Sequence, residues 1–354
     1  MPVITRRLLS RHWGLCCLLA GGVLIAPVAW GQDATPGLPR SAIDDATLRA
    51  AALPRLHSLV VAHQGEKVIE YTAKGESLSE PANIKSLAKT LMSAMVGIAI
   101  QRGVIEGVDQ PIVDLLDTRI PDEASPRIDN ITVGNLLSMQ AGLERTSGPN
   151  YGAWVASDNW IDYVLTRPFV AEPGGRMLYS TGNTHLLSAA LTLTTGRDTH
   201  ALAQDWLGEP LDIAIPPWTQ DPQGIYMGGN EMALSPLAIL RFGEMYRQGG
   251  TLDDERILSR EWIEASWTPR TRSVFNHDQY GYGWFITELA GEDVYYGWGY
   301  AGQMLYIIPE VGLSVVMTSN PTPPSPGQSY LEKLEAIVAE VLIPAAQDAR
   351  FTKS

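Results

Sequence analysis

Cysteine is nearly missing from this chain. Its two copies, Cys16 and Cys17, both fall within the first 31 residues. The rest of the protein can form no disulfide and offers no thiol nucleophile. Long apolar runs are missing too: after the first thirty residues no stretch reaches the about eighteen apolar residues of a membrane span. Positive charge is scarce. Lys and Arg number 26 against 39 Asp and Glu, and Arg6, Arg7 and Arg11 belong to the leader. So acidic a chain is a poor partner for nucleic acid or an anionic membrane. There is no G-x-S-x-G elbow, no H-E-x-x-H, no internal repeat and no low-complexity tract. His12 lies in the leader, and His57, His63, His185, His200 and His277 show no metal-ligand spacing. Neither a metal nor a cofactor is expected. His185 sits in an apolar helical stretch and reads as a structural histidine. A Ser-His-Asp site stays open, because its members need not be close in sequence.

What is there is an ordinary globular composition, 45% apolar and 18% charged over 354 residues. That suffices for a large core in one or two closely joined domains. Residues 1–31 read as a signal peptide. Arg6, Arg7 and Arg11 precede an apolar run over 14–28, and Ala29 and Gly31 supply the small residues before a cut that leaves Gln32 first. Thr5-Arg6-Arg7-Leu8-Leu9 partly resembles a twin-Arg export signal, so the export route stays open. A retained membrane anchor is the alternative. A lipoprotein site at Cys16 or Cys17 lacks the small residue that usually precedes it. On the signal-peptide reading the protein is periplasmic or secreted, with no membrane contact after cleavage.

One stretch organises the remainder: Ser86-Leu87-Ala88-Lys89, at the mouth of a long apolar helix. Residues three apart share a helix face, so the Ser hydroxyl and Lys amine are neighbours. A Ser is a weak nucleophile until a base takes its proton, and a neutral amine can do so. S-x-x-K is a known catalytic pattern with the Ser as nucleophile. Alone, it also fits a Ser near an N-cap beside a solvated Lys. The helix that follows tells against that. Leu87, Leu91, Ala94, Met95, Ile98 and Ala99 recur at helical spacing up to Gly103, and the helix is apolar nearly all round. It reads as central and buried, with free N–H groups at its start.

Elsewhere the pattern alternates at the ends and turns helical in the middle. Residues 56–63 and 67–72, joined by Gln64-Gly65, read as a β-hairpin. Helices are expected from Thr132 to Gly142, over 154–165, over 183–195 with a stop at Gly196, from Ser235-Pro236 to Gly249-Gly250, and over 261–267. Strands return at 282–287, 303–308 and 313–318, and a helix over 330–342 closes the chain. The fold class is α+β: an antiparallel sheet built from both chain ends, flanked by helices, with an inserted helical domain. The sheet part covers about 50–85 and 280–345, and the helical part about 90–270, of one domain spanning 32–354. Gly297-Trp298-Gly299-Tyr300-Ala301-Gly302 matches G-x-G-x-x-G, but a strand follows it, and no acid lies where a dinucleotide site needs one. Those glycines read as a tight turn and a close backbone approach.

In motif order the chain resembles the serine β-lactamase and penicillin-binding-protein superfamily. It is most similar to its class C-like branch of esterases, D-amino-acid peptidases and 6-aminohexanoate-oligomer hydrolases. The resemblance runs from about 56 to 342. It rests on Ser86-Leu87-Ala88-Lys89, on Ile131-Thr132-Val133 leading to Ala141-Gly142-Leu143, and on Pro173-Gly174-Gly175 leading to Tyr179-Ser180-Thr181. Gly229-Asn230-Glu231-Met232 and Trp298-Gly299-Tyr300-Ala301-Gly302-Gln303 complete it. Two departures stand out. The family's Tyr-x-Asn is here Tyr179-Ser180-Thr181, with Asn183 out of register. The third motif has Trp298-Gly299 where a Lys or His usually stands, so the cation that greets a substrate carboxylate is absent from that place.

The resemblance implies an acyl-enzyme route with Ser86 as nucleophile, Lys89 as its proton acceptor and Tyr179 as a second proton carrier. Beside a charged Lys89, Tyr179 is expected to be partly phenolate. The oxyanion is expected between the Ser86 N–H and the Trp298-Gly299 strand edge, with Trp298 also walling the acyl pocket. Asp158, in the aromatic 154–160 segment, is expected to border the cleft and to suit an amine-bearing substrate. The function expected is a serine hydrolase acting on a small-molecule ester or linear amide. The alternatives are a β-lactamase or D-amino-acid peptidase, a slowly acylating sensor of the penicillin-binding type, and an acyltransferase.

Overall fold

The computed structural model describes residues 37–351. The expected signal peptide lies outside them. The hairpin forms as read: β1 (Leu56–His63) and β2 (Glu66–Thr72) pair antiparallel through Gln64 and Gly65. Both turn residues hold positive φ, 55° and 90°. That backbone matches the twist of a two-residue hairpin. The other strands of the main sheet are β3 (Thr271–Arg272), β4 (Gln279–Tyr280), β5 (Phe285–Leu289), β6 (Glu292–Gly299), β7 (Gln303–Ile308) and β8 (Leu313–Ser319). They lie in the order β2-β1-β8-β7-β6-β5-β4-β3. The two chain ends meet where β1 pairs with β8, Val60 opposite Val316. Strand alternation then feeds two cores. Val60, Ala62, Leu305, Ile307 and Val316 join one, and Leu59, Val61, Val315 and Met317 the other.

The second core is closed by α1 (Arg40–Ala51), through Ala46 and Ala50, and by the C-terminal helical run, through Leu334, Ile337 and Leu342. The first holds the central helix α2 (Ala88–Gln101), buried at every position from Ala88 to Ala99. It also holds α3 (Thr181–Thr195) and α4 (Pro236–Arg247). Gly97 lies inside α2 because a Cβ there would sit 2.5 Å from the Trp262 indole. Gly97→Ala is expected to cost about 1–3 kcal/mol by overpacking, although alanine is the better helix former. Denaturant melts would check it.

Four expectations shift. The helix that Thr132 caps ends at Leu137, five residues short of Gly142. The 154–165 segment is two short helices, Tyr151–Val155 and Trp160–Leu165. Asn159 breaks them apart by leaving helical geometry and accepting from the Ile161 and Asp162 N–H groups. The strand expected at 282–287 starts only at Phe285, after Gly283 at φ 79°. The closing helix runs on to Phe351 through a wide turn at Val338–Leu342. That turn falls just before Pro344, whose ring would crowd the carbonyl four residues back in a regular α-helix. Among the described residues no helix is long and apolar enough to cross a membrane.

Candidate active site

Ser86 sits on a single 3₁₀ turn, Lys85–Leu87, that leads into α2. Lys85 before it is left-handed, at φ 53°, a strained corner that needs support. Support comes from both sides. The Lys85 N–H donates to Asn83 Oδ1 at 2.9 Å. Lys85 Nζ and Asn83 Nδ2 hold the two oxygens of Glu231 at 3.3 and 2.7 Å. Ala82 and Asn83 pair with Leu234 and Ala233, and the Ile84 N–H donates to the Met232 carbonyl. The block around Glu231 thus pins the approach to Ser86.

One turn on, Lys89 is 2% exposed. Its Nζ lies 3.0 Å from Ser86 Oγ, 3.2 Å from Thr181 Oγ1 and 2.7 Å from the Gly229 carbonyl. All three partners are neutral. Burial with no carboxylate in contact lowers the Lys89 pKa from 10.5 to about 7. Gly229 must be glycine here: its φ is 82°, and a Cβ would meet Lys89 Cγ at 2.7 Å and Thr184 Oγ1 at 2.3 Å.

The Tyr179 hydroxyl lies close enough to Ser86 for that residue to favour its ionised form slightly, and the Tyr179 ring centroid is 5.0 Å from Lys89 Nζ. It is packed edge-on to Phe275 at 5.2 Å and lies near Tyr280 and Phe285. This apolar burial raises its pKa to about 12, against the smaller opposing effect of the nearby Ser86 hydroxyl. The expected phenolate is therefore corrected: burial keeps Tyr179 protonated, and the depressed member of the pair is Lys89. Thr181 occupies the position of the missing Asn. Its hydroxyl meets Lys89 and lies 3.0 Å from Ser147 Oγ, which also accepts from the Thr181 N–H. Nothing in the sequence singled out Ser147. Asn183 is buried elsewhere, its Nδ2 without a partner among the described residues.

The end of β6 lies directly against this turn. A Cβ at Gly297 would meet Leu87 Cδ1 at 2.3 Å, and one at Gly299 the Ile84 carbonyl at 2.2 Å. Pairing with β5 stops at Tyr296–Phe285, so that edge of Gly297–Gly299 has no strand neighbour. Gly302 at φ 95° completes the turn into β7. The glycines of the G-x-G-x-x-G match thus serve a close approach and a turn. Trp298, between the two close-packed glycines, packs on Phe285 at 5.7 Å and edge-on to Phe275 at 5.6 Å.

A cavity of about 480 Å³ opens over Ser86. Tyr179, Thr181, Phe275, Tyr300, Arg145 and Glu231 are among its walls. Trp298 packs on Phe275 but does not line the cavity; Phe275 and Tyr300 do. Asp158 does not line it. That residue is exposed on the turn between the two short helices, its carbonyl accepting from Gln223 Nε2; Tyr151, from the same region, reaches the cavity instead. His185 is fully buried, with Nε2 3.1 Å from Asp221 and no place in the site.

The site is therefore built where one eight-stranded sheet meets a buried helix that presents a Ser-Lys pair to a tyrosine. The chain matches the family model described as beta-lactamase over residues 57–340, and it belongs to that family. It is 23% identical over 329 residues to a 6-aminohexanoate-dimer hydrolase of Paenarthrobacter ureafaciens, covering 83% of this chain and 82% of the relative. A D-stereospecific amidohydrolase from a Streptomyces species superposes with a TM-score of 0.66 at 18% identity, over 84% of this chain and 98% of the other. A penicillin-binding-protein homologue from Caulobacter crescentus superposes with a TM-score of 0.68 at 16% identity, over 87% of this chain and 97% of the other. The protein is thus a member of a hydrolase family with the β-lactamase and transpeptidase fold.

Proposed function

We propose that the protein is a serine hydrolase that cleaves esters or linear amides through an acyl-enzyme on Ser86. The observation that carries this is Lys89: buried among neutral partners, within hydrogen-bond reach of the Ser86 hydroxyl, and with its pKa lowered by that burial to about 7. Neutral Nζ takes the hydroxyl proton as Oγ bonds to the carbonyl carbon. The carbonyl oxygen becomes an anion between the Ser86 N–H and the unpartnered edge of Gly297–Gly299, where each donor contributes about 3 kcal/mol. The C–N or C–O bond then breaks. The leaving nitrogen or oxygen receives a proton through the Tyr179 hydroxyl, and Lys89 resupplies it. Water enters, gives a proton to the same pair and attacks the Ser86 ester. Its cleavage returns Oγ–H and releases the acid, so one water is consumed for each bond cut.

Trp298 at the third motif favours esters and linear amides over β-lactams, because it offers no cation there. The export signal read at the N-terminus makes this a periplasmic or secreted enzyme. The test is intact mass after mixing the protein with a neutral fluorophosphonate, beside Ser86→Ala. One adduct per chain, absent from the variant, is expected; a folded protein that takes up no adduct would sink the proposal. The rate of adduct formation should rise with pH through about 7 as Lys89 loses its proton. It should then stay level until Tyr179 titrates near 12. A rate already level well below neutrality would show that Lys89 is not the base.

A further inference from the structure

The cavity over Ser86 contains one unanswered charge. Arg145 and Lys85 are its cations and Glu231 its anion. Glu231 is already engaged, by Lys85 on one oxygen and Asn83 on the other. Arg145 is half-buried, and its guanidinium has no hydrogen bond or ion pair among the described residues. Arg55, Arg127, Arg167, Arg241 and Arg247 are half-buried too, and every one of them donates to a carboxylate or a carbonyl. A partly desolvated cation without a counter-charge is costly to hold. A guanidinium presents a planar fork that matches a carboxylate in a bidentate pair. Ser147, two residues on, reaches Thr181 and through it Lys89, and Arg145 lines the same cavity as Ser86 and Tyr179. The same cavity has an apolar lining in Phe275, Tyr300, Pro321 and Pro323.

We propose that Arg145 is a carboxylate-binding residue of this cavity, and that the preferred substrate is an ester or linear amide of an apolar chain bearing a carboxylate apart from the scissile carbonyl. The inference rests on the serine-hydrolase reading. Arg145 would supply, from another part of the chain, the cation that is missing where Trp298 stands.

The experiment uses 4-nitrophenyl monoesters of four- to eight-carbon dicarboxylic acids, each beside its terminal carboxamide, and a matched pair with the carboxylate on the leaving group. The unsubstituted protein should prefer at least one carboxylate member over its carboxamide by about tenfold or more in kcat/KM, expressed mainly in KM. Arg145→Gln should shrink that ratio to within about twofold, and Arg145→Lys should keep a reduced preference because it retains charge but loses the fork. No carboxylate preference in any pair, or a preference undiminished in Arg145→Gln, overturns the inference. If the Gln variant does not fold, an undiminished preference in Arg145→Lys does the same. Fluorophosphonate labelling separates the two levels. Failure to label Ser86 overturns the hydrolase reading; labelling without carboxylate preference overturns only the role of Arg145.

Discussion

Lys89→Met should abolish labelling of Ser86 and, at pH 7, make the protein more stable. The first effect follows from losing the base. Removing a positioned proton acceptor typically costs about 10²–10⁴-fold, and here the same amine also feeds the proton returned through Tyr179. The second follows from linkage. Lys89 has a pKa of about 7 in the folded protein against 10.5 for the free side chain. Between those values the unfolded chain holds more protons than the folded one, so stability rises with pH across that window. The penalty is fully present below about pH 7 and gone above 10.5. At about 1.4 kcal/mol per pH unit it amounts to roughly 4 kcal/mol at pH 7. Methionine has similar length and flexibility and carries no such penalty. It leaves the Gly229 carbonyl without its donor, a loss of about 1–3 kcal/mol. The balance at pH 7 is a gain of about 1–3 kcal/mol. Near pH 10 the penalty shrinks to roughly 1 kcal/mol, and the variant becomes the less stable protein. Urea melts of both proteins at pH 7 and pH 10 decide the matter. A variant less stable at both would show that Lys89 is not held against its charge.

The parts of this site that were legible in the sequence are those fixed by local geometry. The Ser86–Lys89 spacing needs only one helical turn. The strands at 303–308 and 313–318 need only their β-branched and aromatic runs, and they form within a residue of expectation. The paired ends and helical middle of the fold follow from where periodicity changes. What was hidden depends on partners distant in sequence. β6 has no clear strand pattern because Gly297 and Gly299 interrupt it, and those glycines are present because the turn around Ser86 lies against them. Thr181 was visible only as a missing Asn; that its hydroxyl would meet Lys89 depends on Ser147 and on the packing of α3 against α2. Asp158 falls outside the cavity because Asn159 caps a second helix where the pattern predicts one continuous helix. Arg145 carries no sequence signal, since whether a cation is paired is decided by the fold.

Tyr179→Phe should separate substrates by leaving group. The ring is held by Phe275 at 5.2 Å and by Tyr280 and Phe285, and phenylalanine keeps that packing. What is lost is one hydroxyl beside Ser86, so stability should change by no more than about 1.5 kcal/mol. Acylation is another matter. A nitrophenolate departs without a proton, whereas an amine cannot leave a tetrahedral intermediate until it is protonated. If Tyr179 delivers that proton, acylation by a linear amide should fall by about 10²–10⁴-fold. The burst with an activated ester should fall by less than about tenfold, since only the positioning of Ser86 suffers. Turnover of the same ester should drop further than its burst, because deacylation requires a proton to be taken from water. The Tyr179 pKa of about 12 lies beyond the working range, so the rise through pH 7 set by Lys89 should survive the substitution. Equal losses for amide and activated ester in the burst phase would mean that Tyr179 orients Ser86 without carrying the proton, and the proton path would then run through Lys89 alone.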